Sequence, residues 1–394
     1  MGNTLDRLHA DQPSGELACL GSRCRPCRYV TNSFSWPVKE GANVRVLCRR
    51  FGISPKTGYK WLQRNAVEGS EGLLDRSRRP ETSPGRTPAV MEHAVLTLRD
   101  QHPAWGGHKL HTRLLTLGHD GVPSPSTITA ILRRHGRLDA TQGAQHSAWR
   151  RFEHPVPNDL WQMDFKGHVA LQHGRCHPLT VLDDHSRYAL CLTACANEQT
   201  AIVQQALSET FRRYGLPGRM TMDNGSPWGD DGVNPYTPLT VWLIRLGIRI
   251  SHSRPYHPQT QGKDERFHRT LNAELLAHQS FSDQAAAQRH FDAWRSVYNL
   301  ERPHQALGMK PPISRYRPSP RPFPELLPAM EYAPEDRVRK VQAKGELYFR
   351  GRPWKIGKAF HGYPVALRPT PQDGVLEVYF CHHRIASINL NESQ

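Results

Sequence analysis

The chain has 394 residues, long for one ordinary domain, which points to roughly two to four. Lys and Arg number 52 against 36 Asp and Glu, a formal net charge of +16, so a polyanionic partner is favoured, nucleic acid ahead of an anionic membrane. No apolar run approaches a membrane span, the N-terminal stretch has no signal-peptide core, and 8 scattered cysteines fit reduced thiols rather than a disulfide framework; together these predict a cytoplasmic protein.

Residues 1–35 show no sustained period and read as an irregular extension. Cys24 and Cys27 form a Cys-x-x-Cys with Cys19 nearby, and His9 or Cys48 would have to complete a zinc site. The spacing is not repeated after Cys27, so the irregular reading is preferred. Residues 36–70 carry a clearer signal. Val44, Val46 and Leu47 lead through a Gly52 turn to Ser54-Pro55, an N-cap followed by proline at the first helical position. The pattern predicts a helix-turn-helix whose small core holds Val46, Leu47, Ile53 and Leu62. Its second helix would offer Lys56, Thr57, Tyr59 and Lys60 to base edges in a major groove.

A basic linker spans 71–88, whose Arg76, Arg78 and Arg79 could follow phosphates or enter a minor groove, or form a merely solvated basic stretch. Residues 89–138 predict a second helix-turn-helix domain. Val90, Ala94, Val95 and Leu98 make one stripe, Leu110, Leu114 and Leu117 a second, and Ile128, Ile131 and Leu132 a third. Ser126, Thr127, Arg133 and Arg134 are its candidate DNA contacts. A polar connector, 139–153, precedes the next domain.

Residues 154–315 alternate strand and helix patterns. A strand holding Asp164 is expected to run to Leu171, and others are expected at Pro178–Asp183, at Tyr188–Ala194, at Arg219–Met222 ending on Asp223, and at Ile248–Ser251. Helices are expected at Thr200–Tyr214, Thr237–Leu246, Glu265–His278 and Gln284–Tyr298. The order predicts an α/β domain with a mixed sheet. Three acids stand out in it. Asp164 lies in an apolar run, Leu160-Trp161-Gln162-Met163-Asp164-Phe165, where a charge needs a partner or a metal. Asp223 ends a short strand ahead of Asn224-Gly225, and Glu265 opens a helix after a loop punctuated by Pro258 and Gly262. Convergence of two strand acids and one helix acid would give the hard oxygen ligands that Mg²⁺ prefers, and two such ions can hold the attacking and leaving oxygens of an in-line phosphoryl displacement. Each acid also has an ordinary reading. Asp223 could be a turn residue and Glu265 a helix-start acid. Asp264 rivals Glu265 as the third acid, whereas Asp183 and Asp184 read as a structural strand-end turn.

The segments Trp161-Gln162-Met163-Asp164, Thr221-Met222-Asp223-Asn224-Gly225 and Tyr256-His257-Pro258-Gln259-Thr260-Gln261-Gly262-Lys263-Asp264-Glu265-Arg266 resemble the three motifs of DDE transposases of bacterial insertion sequences, which have a retroviral-integrase-like catalytic core. The third motif is the most specific. The resemblance covers roughly residues 40–315. It implies a ribonuclease-H-like fold, catalytic metal ligands at Asp164, Asp223 and Glu265, and Mg²⁺, two ions replaceable by Mn²⁺, as cofactor. It further implies 3′-end cleavage and strand transfer on double-stranded DNA, with element ends and target as partners, and a homo-oligomer assembled on that DNA. Lys263, Arg266, Arg269 and Asn272 beside the third acid are candidate contacts to the strand being cut. A catalytically inactive DNA-binding regulator is the alternative, and a ribonuclease-H-like nuclease without strand transfer a further one. The Asp223–Glu265 gap exceeds the family's usual one, which fits a loop insertion at Ser226–Tyr236. Residues 316–335 are Pro-rich and predict a stiff linker. Residues 336–394 show short alternating runs and predict a small β-barrel of about five strands.

Overall fold

A computed structural model of the chain describes residues 43–50, 52–73, 85–138, 153–229, 235–252 and 262–392. The Cys19–Cys27 cluster, most of the basic linker and His257 lie outside the described residues. The chain divides into two compact units, one ending at Arg86 and the other beginning at Thr87.

In the first unit, α1 (Val44–Arg50) and α2 (Pro55–Glu68) meet at a tight corner. Ser54 caps α2, its Oγ accepting from Thr57 N at 3.2 Å, and Gly69 ends it at φ 63°. Gly58 lets the helices close, because a Cβ there would collide with Cys48 Sγ. The core differs from the expected one. Among the described residues of this unit Cys48, Trp61 and Leu73 are the buried apolar ones, whereas Val46 is 53% exposed.

The second unit opens with α3 (Ala89–Gln101), α4 (Gly107–Thr116) and α5 (Pro125–Arg134). Val95, Leu98, Trp105, Leu110, Leu114, Ile128, Ile131 and Leu132 form their core. Val90 and Leu117, expected in the stripes, are exposed, and Met91 takes the inward place on α3. Gly107 allows α4 to approach α5 closely, since a Cβ would meet Pro125 O and Thr129 Oγ1.

The central domain is a mixed sheet of β1 (Leu160–Phe165), β2 (Val169–Ala170), β3 (Arg175–Asp183), β4 (Ala189–Cys195), β5 (Arg219–Met222) and β6 (Arg249–His252). The order is β2-β3-β1-β5-β6, with β4 on the other side of β3; β1–β3–β4 are antiparallel, and β5 and β6 run parallel to β1. Strand alternation sends alternate residues to opposite faces. Trp161, Met163, Leu179 and Val181 pack toward α6 (Thr200–Tyr214) and α7 (Pro238–Arg245), against Phe211 and Trp242 among others. Leu182, Ala189 and Leu192 pack on the other face against Phe267 and Leu271 of α8 (Gly262–Leu271) and Phe291, Trp294 and Tyr298 of α9 (Gln284–Leu300). This is the ribonuclease-H-like arrangement that the resemblance implies. Edge strand β4 is closed by side chains of α9: Asn299 bonds both N and O of Ala189 at 2.8 and 2.9 Å, Gln288 bonds Leu192 O and Ala194 N, and Arg295 bonds Leu190 O. Such coverage removes a template for foreign strands.

Residues 316–335 contain no helix or strand, yet they are a strap on the core rather than a free spacer. Tyr316 stacks on Tyr188 at 4.1 Å, and Arg321 donates to Pro217, Leu246 and Gly247 carbonyls. The C-terminal domain has six strands: β7 (Arg337–Lys340), β8 (Glu346–Phe349), β9 (Arg352–Lys355), β10 (Pro364–Pro369), β11 (Val375–Phe380) and β12 (His383–Asn389). They form an open sheet β12-β11-β10-β7 and a separate β8–β9 hairpin. No described sheet closes on itself, so the predicted barrel is corrected to an open sheet plus hairpin. Strand β9 escaped sequence reading because Arg352-Pro353 and Lys355 mask its alternation.

Candidate active site

Two of the three acids meet where parallel strands end. The β1–β5 register pairs Leu160 with Arg219 and Gln162 with Thr221; carried two residues further it sets Asp164 beside Asp223, whose charge acts on Asp164. Ligand sites in such sheets lie outside the carboxyl ends of the strands. Asp164 is held locally: its Oδ1 accepts from Phe165 N at 2.8 Å, and its carbonyl accepts from Thr180 Oγ1 at 2.9 Å. Burial pushes its carboxyl up to about 6, and the charges of Asp223 and Glu198 push the same way. Asp223 is exposed; its Oδ1 accepts from Asn224 N at 2.8 Å and its carbonyl from His252 Nδ1 at 3.0 Å. Phe165 stacks on buried Trp228 at 5.6 Å and so packs the start of the loop after Asp223 against β1.

Helix α8 lies over the face that carries Gln162 and Asp164. Its first turn is anchored by an ion pair between Lys263 and Asp184. One turn on, His268 reaches Thr180: Thr180 gives its one hydroxyl proton to Asp164 O and therefore accepts from His268 Nε2 at 2.8 Å. That assignment leaves His268 Nδ1 unprotonated, 4.0 Å from Asp164 Oδ2, and burial pushes the imidazole down to about 4. Between these residues the helix shows two different acids. Glu265 is exposed. Asp264 is 1% exposed, and neither of its oxygens has a hydrogen-bond partner among the described residues. Burial holds the Asp264 carboxyl well above the usual range, with Asp164 and Asp184 adding to the effect. The structure thus brings Asp164 and Asp223 together and turns Asp264, not Glu265, toward Asp164. Among the described residues no three His, Cys, Asp or Glu side chains converge on a metal position.

The paired carboxylates nevertheless suit a divalent cation. A charge between them would relieve the repulsion and desolvation that raise Asp164, and Asp223 leaves the site open to water and phosphate. The rival pair is occupied elsewhere. Asp183 accepts from Asn158 N and from Ser186 N and Oγ, while Asp184 accepts from His154 N, Gln162 Nε2 and Lys263.

The candidate DNA contacts fall into three groups. Lys56, Tyr59 and Lys60 on α2, Arg133 on α5, and Arg266, Arg269 and Asn272 around the end of α8 are exposed. Thr57, Ser126 and Thr127 are tied into caps: Thr57 Oγ1 lies 2.8 Å from Ser54 Oγ, and Ser126 and Thr127 each lie 2.9 Å from Ser124 Oγ. Arg134 and Lys263 have partners within the fold: Arg134, itself exposed, pairs with Glu92 at 2.6 Å, and Lys263 pairs with Asp184. Sequence reading missed Thr180 and offered His268 only as a further candidate contact to the strand being cut. A histidine one turn beyond the third acid was visible, but its partner on β3 is fixed only by the tertiary register.

Comparison with known proteins gives concordant assignments. Residues 154–258 and 246–312 match models of the integrase core domain, 38–74 and 57–132 match homeodomain-like domains, and 336–394 match the C-terminal domain of IS481 family transposases. The chain is 28% identical over 157 residues to the 39.2 kDa protein of insertion element IS476 from Xanthomonas euvesicatoria, covering 40% of this chain and 44% of that one. It is 27% identical over 157 residues to the 31.7 kDa protein of insertion element IS407 from Burkholderia multivorans, covering 40% and 54%. The chain thus spans about half the length of these curated relatives. Among solved structures, the HTLV-2 integrase catalytic core domain in complex with magnesium is 15% identical, covering 41% of this chain and 99% of that one with a TM-score of 0.32.

Proposed function

We propose that the chain is an insertion-sequence transposase, as its integrase core and IS481-type C-terminal matches support, that it binds the terminal inverted repeats of its element, and that it catalyses metal-dependent 3′-end cleavage and strand transfer. The observation that carries this reading is the pairing of Asp164 and Asp223 at the carboxyl ends of adjacent parallel strands, with Asp164 raised by burial and by its neighbour. Asp164 and Asp223 would hold Mg²⁺ or Mn²⁺, which supplies charge for the in-line displacement and lowers the pKa of a bound water. Glu265 is the third ligand in this reading. A hydrated ion that must also take substrate phosphate needs an open position, and the exposed Glu265 offers one where the enclosed Asp264 does not.

The protein's own residues then orient and shield. Phe165 N–H and the Thr180–His268 pair fix the carboxyl and carbonyl of Asp164, and Lys263–Asp184 pins the first turn of α8 to the sheet. In the first reaction, water adds to the phosphorus at the element end as the 3′-oxygen leaves and takes up a proton. In the second, that 3′-hydroxyl loses its proton, adds to a target phosphorus and displaces the target's own 3′-oxygen. No protein nucleophile is consumed, so one site serves both steps. Arg266, Arg269 and Asn272 are proposed contacts to the strand being cut, and exposed residues of α2 and α5 to the repeat. Pairing two ends calls for a homo-oligomer on DNA.

The test is a joining assay with a labelled terminal duplex, a plasmid target and Mg²⁺. Asp164→Asn should bind the duplex as wild type does and yield neither nicked nor joined product. Joined product from that variant would refute the assignment.

A further inference from the structure

Lys109 and Arg113, one turn apart on α4, reach from the second helical domain to the catalytic domain. Arg113 forms an ion pair with Glu301, just past α9. Lys109 Nζ lies 3.5 Å from Glu274 Oε1. Glu274 belongs to a π-helical turn, Asn272–Leu276, that continues α8, the helix on which Glu265 stands. The same carboxylate accepts from Arg302 Nε at 2.8 Å and from Trp294 Nε1 at 3.3 Å. The side chains of Glu274 and Arg302 are each 9% exposed, and Val297 of α9 packs against the second domain's apolar core.

Enclosing two cations with one carboxylate adds little net stability, because desolvation offsets the attraction. What such a cluster can do is select one arrangement over its neighbours. Here the selected arrangement links two functional elements. α5 carries the exposed Arg133 and is held tightly on α4 at Gly107; α4 is paired to Glu274 and Glu301; Glu274 is continuous with α8. Single π turns inside helices recur at functional sites, and this one places Glu274 where Lys109, Arg302 and Trp294 meet.

We propose that the Lys109–Glu274 and Arg113–Glu301 pairs set the spacing between the base pairs read by α5 and the phosphodiester that is cut. They are positioning residues that define the cleavage position without touching DNA. This rests on the transposase reading above.

The experiment uses the full chain, Mn²⁺, and labelled duplexes taken from the DNA that flanks its own coding sequence. Arg113→Glu is compared with the charge-swapped double variant Arg113→Glu/Glu301→Arg. Hydrogen exchange at residues 107–116 and 272–276 is followed in parallel. Wild type should nick at one position. Arg113→Glu should scatter nicks over neighbouring phosphates and exchange faster in both segments, and the double variant should restore the single position and the slow exchange. A single, unmoved position in Arg113→Glu overturns the inference. So does scatter or loss of nicking that the double variant leaves unrepaired while its exchange returns to the wild-type rate. Absence of any wild-type nick would instead defeat the transposase reading, and the inference with it.

Discussion

Asp264 is the residue whose placement could not be read from the chain. Neighbouring positions on a helix point about 100° apart, so the tandem Asp264-Glu265 leaves open which acid turns inward until the packing of α8 is known. Asp164 and Asp223 were legible, because a strand face and a strand end are each fixed by local alternation. The enclosed Asp264 should cost stability, with a defined pH dependence. Its folded-state pKa lies above the ordinary 3.8. The folded chain therefore holds the proton more tightly, and the resulting stability is complete below pH 3.8 and lost as pH rises through the raised value. Asp264→Asn cannot ionise. Without divalent cation its melting temperature should exceed that of wild type by a margin that widens from pH 3.8 upward; a margin independent of pH would contradict the burial of an ionisable group. Joining activity should survive Asp264→Asn and be lost in Glu265→Gln, and the reverse pattern would make Asp264 the third ligand.

Elements were recovered in order and type where the pattern was long. The span of α6 was legible to the residue, since Gly215 at φ 78° stops it. The sequence places the start of α8 three residues late, because its first turn is tied to the sheet by the tertiary pair Lys263–Asp184. The closure of β4 was invisible for the same reason, as polar residues on α9 look like a solvated face until the strand edge lies beneath them. Asn299 makes the point testable. It is 3% exposed and satisfies both backbone groups of Ala189. Asn299→Ala should destabilise the chain by about 1–3 kcal/mol through the unsatisfied pair, measured as a shift in the urea midpoint. A change within error would mean that water replaces the amide. Gly107→Ala should loosen the α4–α5 crossing and weaken binding to the terminal duplex, as read by fluorescence anisotropy.

At the scale of the molecule, the residues from Thr87 onward behave as one compact unit. The second helical domain, the sheet and the C-terminal strands are joined by the ion pairs on α4, by the strap through Arg321, and by Tyr236 against Phe360. None of these joints has a sequence signature, since each pairs residues far apart in the chain. The net charge of +16 and the matches to homeodomain-like and integrase core domains support the proposed DNA binding, and no described helix is long and apolar enough to cross a membrane. The proposed divalent-cation site lies at the ends of β1 and β5. Titration calorimetry with Mn²⁺ on the full chain, beside Asp164→Asn and Asp223→Asn, tests it most directly. Saturable binding in wild type that disappears in both variants is the predicted result. Equal binding in all three proteins would place the metal elsewhere and contradict the account.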